Sequence, residues 1–317
     1  MSSPSEESER PRVVVRSRRR RTRYRWPWAF AATYLVLAGG LALQWGHGVS
    51  EPRPGSIPAG VLTGDEPHYL ILTRSLFVHH QVDPRQAYRD AFQPGSFLNA
   101  IPPEKRLRNI HAVSGRAGSI FPVHGPGLSV LVAPGWLLGG VAGARATMVL
   151  LAGVAALTVA LAASQIVKDQ RLAALTAAAL ALGIPLLTAG NQIYPDLPSG
   201  TIVLAVFVAV MCFPNRSRIT DGLLVAGIAL LPWLHVKLLP VAALCALVLA
   251  RQLKLDRRLV RAAAVACTVA ASVAGVAMYN LVFSGTLLVP STRAAPRSAV
   301  RRRWSCWDCT STGRRGC

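Results

Sequence analysis

The residues best suited to chemistry stand in VLTGDEPHYLILTRSL, residues 61 to 76, where Asp65 and Glu66 lead directly into Pro67, His68 and Tyr69. An ionised carboxylate can take a hydroxyl proton or ligate a cation. An acid at the cap position with proline at the first helical position marks a helix start, and the positive end of the helix dipole favours ionised carboxylates there. Adjacent helical residues point roughly 100° apart, so the two acids do not share one proton. One does chemistry while the other orients it, unless both merely cap the helix. A second set lies in NIHAVSGRAGSIFPVHGPGLSVLVAPG, where His111, Arg116 and His124 sit among glycines that let the backbone approach a ligand closely. Their spacing is neither HxH nor HExxH and does not announce zinc. His235 and Lys237 lie between prolines in LLPWLHVKLLP, inside an apolar stretch where ionisable groups are costly and commonly functional.

Composition says what must hold these residues in place. Of the 317 residues 52% are hydrophobic and 15% charged, and the mean hydropathy of +0.37 predicts an all-α, polytopic membrane protein. The net charge of +21 is concentrated at the ends: residues 1 to 26 carry nine Arg against three Glu, and residues 291 to 317 seven Arg against one Asp. RSRRRRTRYRWPW precedes an apolar run, as a cytoplasmic anchor attracted to anionic headgroups does, so no nucleic-acid partner is expected. AFAATYLVLAGGLALQW is long for a signal peptide and has no clear cleavage site. Cys212, Cys245 and Cys267 fall in apolar runs where a thiol is an inert small hydrophobe, and no disulfide framework is implied.

Apolar windows occur at 27–45, 127–141, 144–167, 172–190, 198–213, 222–236, 238–250 and 259–283. The loops KDQR, PNRSR and RQLKLDRR are basic, whereas NQIYPDLPS has neither Lys nor Arg. With a cytoplasmic N-terminus, all three basic loops fall inside only if 127–141 does not fully cross and 222–250 is a pair of short spans turning at PWLHVKLLP. GPGLSVLVAPGWLLGGVAG, with two prolines and six glycines, is therefore expected to be an interfacial or re-entrant helix on the outer side. About seven spans result. The divisions are a basic cytoplasmic tail (1–26), a first span (27–45), an extracytoplasmic loop (46–143), a six-helix region (144–290) and an Arg/Cys-rich tail (291–317).

The long loop concentrates chemistry: residues 46 to 126 hold six of the 14 acids, six of the seven histidines and ten of the 22 prolines. After Asp65, Tyr69, Leu72 and Leu76 recur at helical spacing and Leu70 and Phe77 widen the apolar face. The expectation is an amphipathic helix lying on the membrane surface. Arg74 stands ready to pair with Asp65 or Glu66, or to face headgroups.

In order, GDEPHYLILTRSL, GRAGSIFPVHGPGLSVLVAPGWLLGG, NQIYPDLPSG and LLPWLHVKLLP resemble bacterial membrane proteins related to the GT-C glycosyltransferases, over about residues 27 to 290. The resemblance implies many transmembrane helices and a long first extracytoplasmic loop with an acidic motif and membrane-parallel helices. It implies an inverting transfer of a hexosyl or pentosyl unit from a polyprenyl-phosphate sugar to a glycan, lipid or protein acceptor at the outer face of the plasma membrane. Under it, Asp65 is the base and Glu66 its neighbour, or the two hold a divalent cation, Mg or Mn. Asp196, with Tyr194, matches a second acidic position. Lys237, His235 and Arg74 neutralise the donor phosphate, and His68, His111, Arg116 and His124 are loop contacts to substrate. The competing functions are a transporter or flippase of lipid-linked saccharides and a non-catalytic membrane scaffold.

After YNLVFSGTLLVPS the pattern changes. TRAAPRSAVRRRWSCWDCTSTGRRGC has no hydrophobic periodicity and the composition of a GC-rich frame read out of phase, so a frameshifted, truncated and inactive product is one expectation. The alternative, a redox or zinc half-site at CWDC, rests on a lone CxxC.

Overall fold

The computed structural model describes residues 25–47, 62, 64–93, 96, 110–116, 119–256 and 258–287. The basic tail before Arg25 and the segment from 288 onward, with its proposed frame change and CWDC motif, lie outside the described residues. What is described is mostly helical: α1 (Arg25–His47), α2 (Glu66–Phe77), α3 (Arg85–Ala91), strands β1 (Ala112–Ser114) and β2 (Ile120–Pro122), then α4 (Pro126–Ile166), α5 (Gln170–Ala181), α6 (Ile184–Ala189), α7 (Asp196–Cys212), α8 (Arg218–Leu234), α9 (Leu239–Leu255) and α10 (Leu259–Phe283). Three helical stretches, Pro126–Ile166, Val236–Leu255 and Leu259–Phe283, are long and apolar enough to cross a membrane. Only 17% of the most apolar stretch of α10 is buried inside the protein. An apolar surface that large turned outward suits lipid rather than water.

Glycine and proline decide where the apolar windows break. In α4 the helix is interrupted at Gly139 and Gly140, the latter at φ +58°, a conformation only glycine adopts without strain. The chain reverses there, because the carbonyl of Gly135 touches the position a Cβ on Gly143 would take. Residues eight apart in one straight helix are about 12 Å apart. The arm 126–138 thus folds back on the arm 141–166 and is too short to span on its own, at roughly 20 Å. The span expected over 172–190 is not one helix: Gly183 is extended and Pro185 opens α6, and a proline there removes a helical hydrogen bond and clashes with the preceding turn.

The turn expected at PWLHVKLLP is present. His235 is extended (φ −161°, ψ 133°) between α8 and a single 3-10 turn, Val236–Leu238. Asp221 near the start of α8 pairs with Arg261 near the start of α10, and Trp233 near the end of α8 donates to Ser272 well along α10. Helices α8 and α10 therefore run parallel, and α9 must bring the chain back between them. This leaves Arg216, Asp221, Arg258 and Arg261 at one end of the bundle and His235 and Lys237 at the other.

Helix α2 is not a surface helix. Nine of its residues, including Glu66, His68 and Thr73 as well as Leu70 to Leu72, are buried. It packs on α3 and on the short arm of α4, where the Thr73 hydroxyl donates to the Ser129 carbonyl (3.1 Å) and the Ser129 hydroxyl to the Tyr69 carbonyl (2.9 Å). Those buried hydroxyls are satisfied, so the helix can be enclosed on its polar side too. Behind them, a Cβ on Gly127 would lie 2.5 Å from the Trp233 carbonyl carbon. Gly127→Ala should destabilise the protein by about 1–3 kcal/mol through overpacking. A thermal melt in detergent equal to wild type would contradict this contact.

Candidate functional site

Asp65 occupies the N-cap position of α2 but makes no side-chain cap bond. Its carboxylate turns instead to two imidazoles, with Oδ1 3.1 Å from His111 Nδ1 and 3.9 Å from His124 Nε2. The simple capping role does not describe it. Its backbone N–H donates to the Tyr194 hydroxyl (3.2 Å). Gly64, at φ +54°, permits that approach, because any Cβ there would collide with the same hydroxyl.

The two histidines are set side by side by the β1–β2 hairpin. Ala112 faces Pro122 in its register, and the Val123 N–H donates to the His111 carbonyl (3.1 Å), so the residues just beyond the pairing lie together. His111 Nδ1 is 3.3 Å from His124 Nε2. Beneath His111, the His68 ring is stacked at 3.7 Å and 14°. The Tyr88 hydroxyl accepts the His111 backbone N–H (3.0 Å) and lies 2.8 Å from His68 Nδ1. That hydroxyl therefore ties the His68 ring to the strand that carries His111. Burial, reinforced by His111 and His124, holds the His68 imidazole down to about 2. Burial likewise brings His124 down to about 4, Asp65 pulling the other way and His111 and His235 adding to the fall. Both rings are neutral at pH 7.

A cleft of about 400 Å³ opens beside this group. Six residues that the sequence nominated line it: Asp65, His124, Tyr194, Asp196, His235 and Lys237. Asp196 enters as the first residue of α7. His235 Nδ1 accepts the Lys237 backbone N–H (3.1 Å), and burial, then Lys237, lowers its imidazole against the pull of Asp196. Tyr69 and Ser199 also line the cleft. Both were legible as one helical turn beyond an acid, Tyr69 after Asp65 and Ser199 after Asp196. Burial, then Asp65 and Asp196, raises the Tyr69 phenol, so it meets a substrate as a neutral hydroxyl. Tyr88 carries no such signal, since it reaches His68 from 20 residues away.

Neither a family model, nor a curated protein, nor a solved structure matches this chain.

Other nominated residues lie elsewhere. Arg74 does not meet Asp65, Glu66 or the cleft; its Nε binds Asp90 Oδ2 at 2.9 Å, which His79 Nε2 also approaches at 2.9 Å. The reason is helical phase, which turns position 74 toward α3. Asp90 is lowered although burial opposes it, because Arg74 and then His79 hydrogen-bond its carboxylate. A lowered folded pKa stabilises above the unfolded value and is lost as pH falls through the folded one. Arg74→Gln should therefore move acid loosening of α3 to higher pH, read by hydrogen exchange. Arg116 stands by Gly285 beyond α10, outside the residues that line the cleft.

Glu66 and Asp65 part company as their helical phase requires. Glu66 is 2% exposed, and its Oε1 accepts the Ile193 backbone N–H at 2.8 Å. It pins the turn that carries Tyr194 and Asp196. Glu66→Ala should cost about 1.5–3 kcal/mol, the worth of a hydrogen bond to a charged group, and lower the melting temperature. An unchanged melt would show that the turn needs no such tie.

A cation held by Asp65 with Glu66 does not fit this arrangement, because Glu66 is committed to the Ile193 turn. Asp65 with His111 and His124 does fit: the three ligand atoms all lie within 4.8 Å of one another.

Proposed function

We propose that the chain is an integral membrane glycosyltransferase that moves a sugar from a polyprenyl-phosphate donor to a cell-envelope acceptor on the extracytoplasmic face. The observation that carries this reading is one cleft in which Asp65 and Asp196 meet His235 and Lys237, brought from three distant parts of the chain to one end of an apolar bundle. Acceptor hydroxyl, sugar and lipid phosphate need that combination of a base, a cation and a polar ring that can hydrogen-bond.

In this reading Asp65 accepts the proton of the acceptor hydroxyl as its oxygen attacks the anomeric carbon and the bond to the donor phosphate breaks. Lys237 and His235 face the phosphate as it gains negative charge. Asp196 and Tyr194 orient acceptor hydroxyls. A bound divalent cation would add positive charge beside Asp65. The glycosyl bond inverts because attack and departure occur on opposite faces.

The topology belonging to this reading has about seven spans, a cytoplasmic N-terminus, the loops 168–171, 214–218 and 251–258 inside, and the cleft at the outer surface of the plasma membrane. Cysteines placed at positions 56 and 217 should label from opposite sides; labelling from one side overturns the topology. The activity test supplies polyprenyl-phosphate hexoses and pentoses, radiolabelled in the sugar, to membranes containing the full chain. Transfer that falls at least tenfold in Lys237→Met supports the reading. Absence of transfer from every donor rejects it.

A further inference from the structure

We propose that Asp65, His111 and His124 form a binding site for one divalent transition-metal ion of the zinc class, open toward the cleft. The three ligand atoms, Asp65 Oδ1, His111 Nδ1 and His124 Nε2, are separated by 3.1, 3.3 and 3.9 Å. A point equidistant from three atoms at those separations lies about 2.0 Å from each, the Zn–N and Zn–O bond length. Ligands around a tetrahedral ion at that distance stand about 3.3 Å apart, within the observed spread. Three protein ligands leave a fourth position, and Asp65 and His124 both line the cleft into which it opens.

The surroundings are those of a ligand set held ready. The hairpin fixes the two histidines, His68 supports the His111 ring, and the Tyr69 ring lies 4.7 Å from that of His124. Two nitrogens and one oxygen select zinc, cobalt or manganese over magnesium, which prefers an all-oxygen octahedron. The ion would fix Asp65 through Oδ1. The site rests on its own geometry and not on the glycosyltransferase reading.

The tag-free full chain, purified in detergent and stripped with chelator, is dialysed against Zn²⁺, Mn²⁺ or Mg²⁺ and its metal content measured, with Zn²⁺ titrated calorimetrically. The expected result is one Zn²⁺ per chain, weaker Mn²⁺, no Mg²⁺, and a zinc-dependent rise in melting temperature. His111→Ala, at a half-exposed position, His124→Ala and Asp65→Asn should each weaken zinc at least tenfold, since even partners of metal ligands cost 10- to 100-fold. Arg116→Gln should bind as wild type. Cobalt should give a visible spectrum with wild type that His111→Ala lacks. A wild-type chain that takes up no stoichiometric zinc, or histidine variants that bind as wild type, overturns the site. Zinc binding without sugar transfer upholds the site and rejects the enzyme reading; sugar transfer by a wild-type chain that takes up no stoichiometric zinc does the reverse.

Discussion

Asp65→Asn should reduce sugar transfer by about 10²–10⁴-fold, the usual worth of a positioned general base. The substitution keeps size and one oxygen, and the Asp65 side chain makes no cap bond to α2, so the melting temperature of the metal-free chain should stay close to that of wild type. The contrast with Glu66 makes the experiment informative. Glu66→Ala should act first on stability, because its carboxylate is buried and tied to Ile193, whereas Asp65→Asn should act on turnover and leave the stability of the metal-free chain unchanged. Transfer by Asp65→Asn within tenfold of wild type would remove Asp65 as the base, and a large fall in melting temperature would reassign it to the scaffold.

The second large effect lies at the opposite end of the bundle. Asp221 accepts from Arg216 Nε at 2.5 Å and from Arg261 Nη1 at 2.7 Å, with the Arg216 and Asp221 side chains only 2% and 6% exposed. Arg216 also reaches the carbonyl of Phe213 just past the end of α7, and that of Ala209, which already accepts the Phe213 N–H. Asp221→Ala would strand a buried guanidinium, and breaking one partner of such a pair costs about 3–5 kcal/mol. The melting temperature in detergent should fall accordingly, and Arg261→Ala, removing the more exposed partner, should lower it less. A loss under about 1 kcal/mol for Asp221→Ala would mean that water reaches Arg216 and solvates it. Sugar transfer at a temperature where the variant is folded should persist, since the triad lies about one helix length from the cleft.

Several features were legible in the residues alone because their causes are local. Apolar windows announced the membrane helices and the turns near 141–143 and at PWLHVKLLP, whereas the break at 183–185 was passed over as one window from 172 to 190. The acidic start of α2 followed from Asp65, Glu66 and Pro67. Helical phase already required the two acids to diverge. It did not tell which one would face the cleft, and it allowed Arg74 to be read as a partner of Asp65 or Glu66 when Asp90 takes it.

The amino-acid sequence by itself determined a largely helical, apolar chain with basic ends and six of its seven histidines gathered in one long loop. Only the tertiary structure decided that α2 is enclosed rather than laid on a surface, because that depends on the Thr73 hydroxyl reaching the Ser129 carbonyl and the Ser129 hydroxyl reaching the Tyr69 carbonyl across two elements. It alone joined Asp65 to His111 and His124, since their meeting rests on the β1–β2 register and the Gly64 approach to Tyr194. Those contacts link distant residues and leave no period in the chain. Local physics chose the groups; long-range packing chose which of them meet.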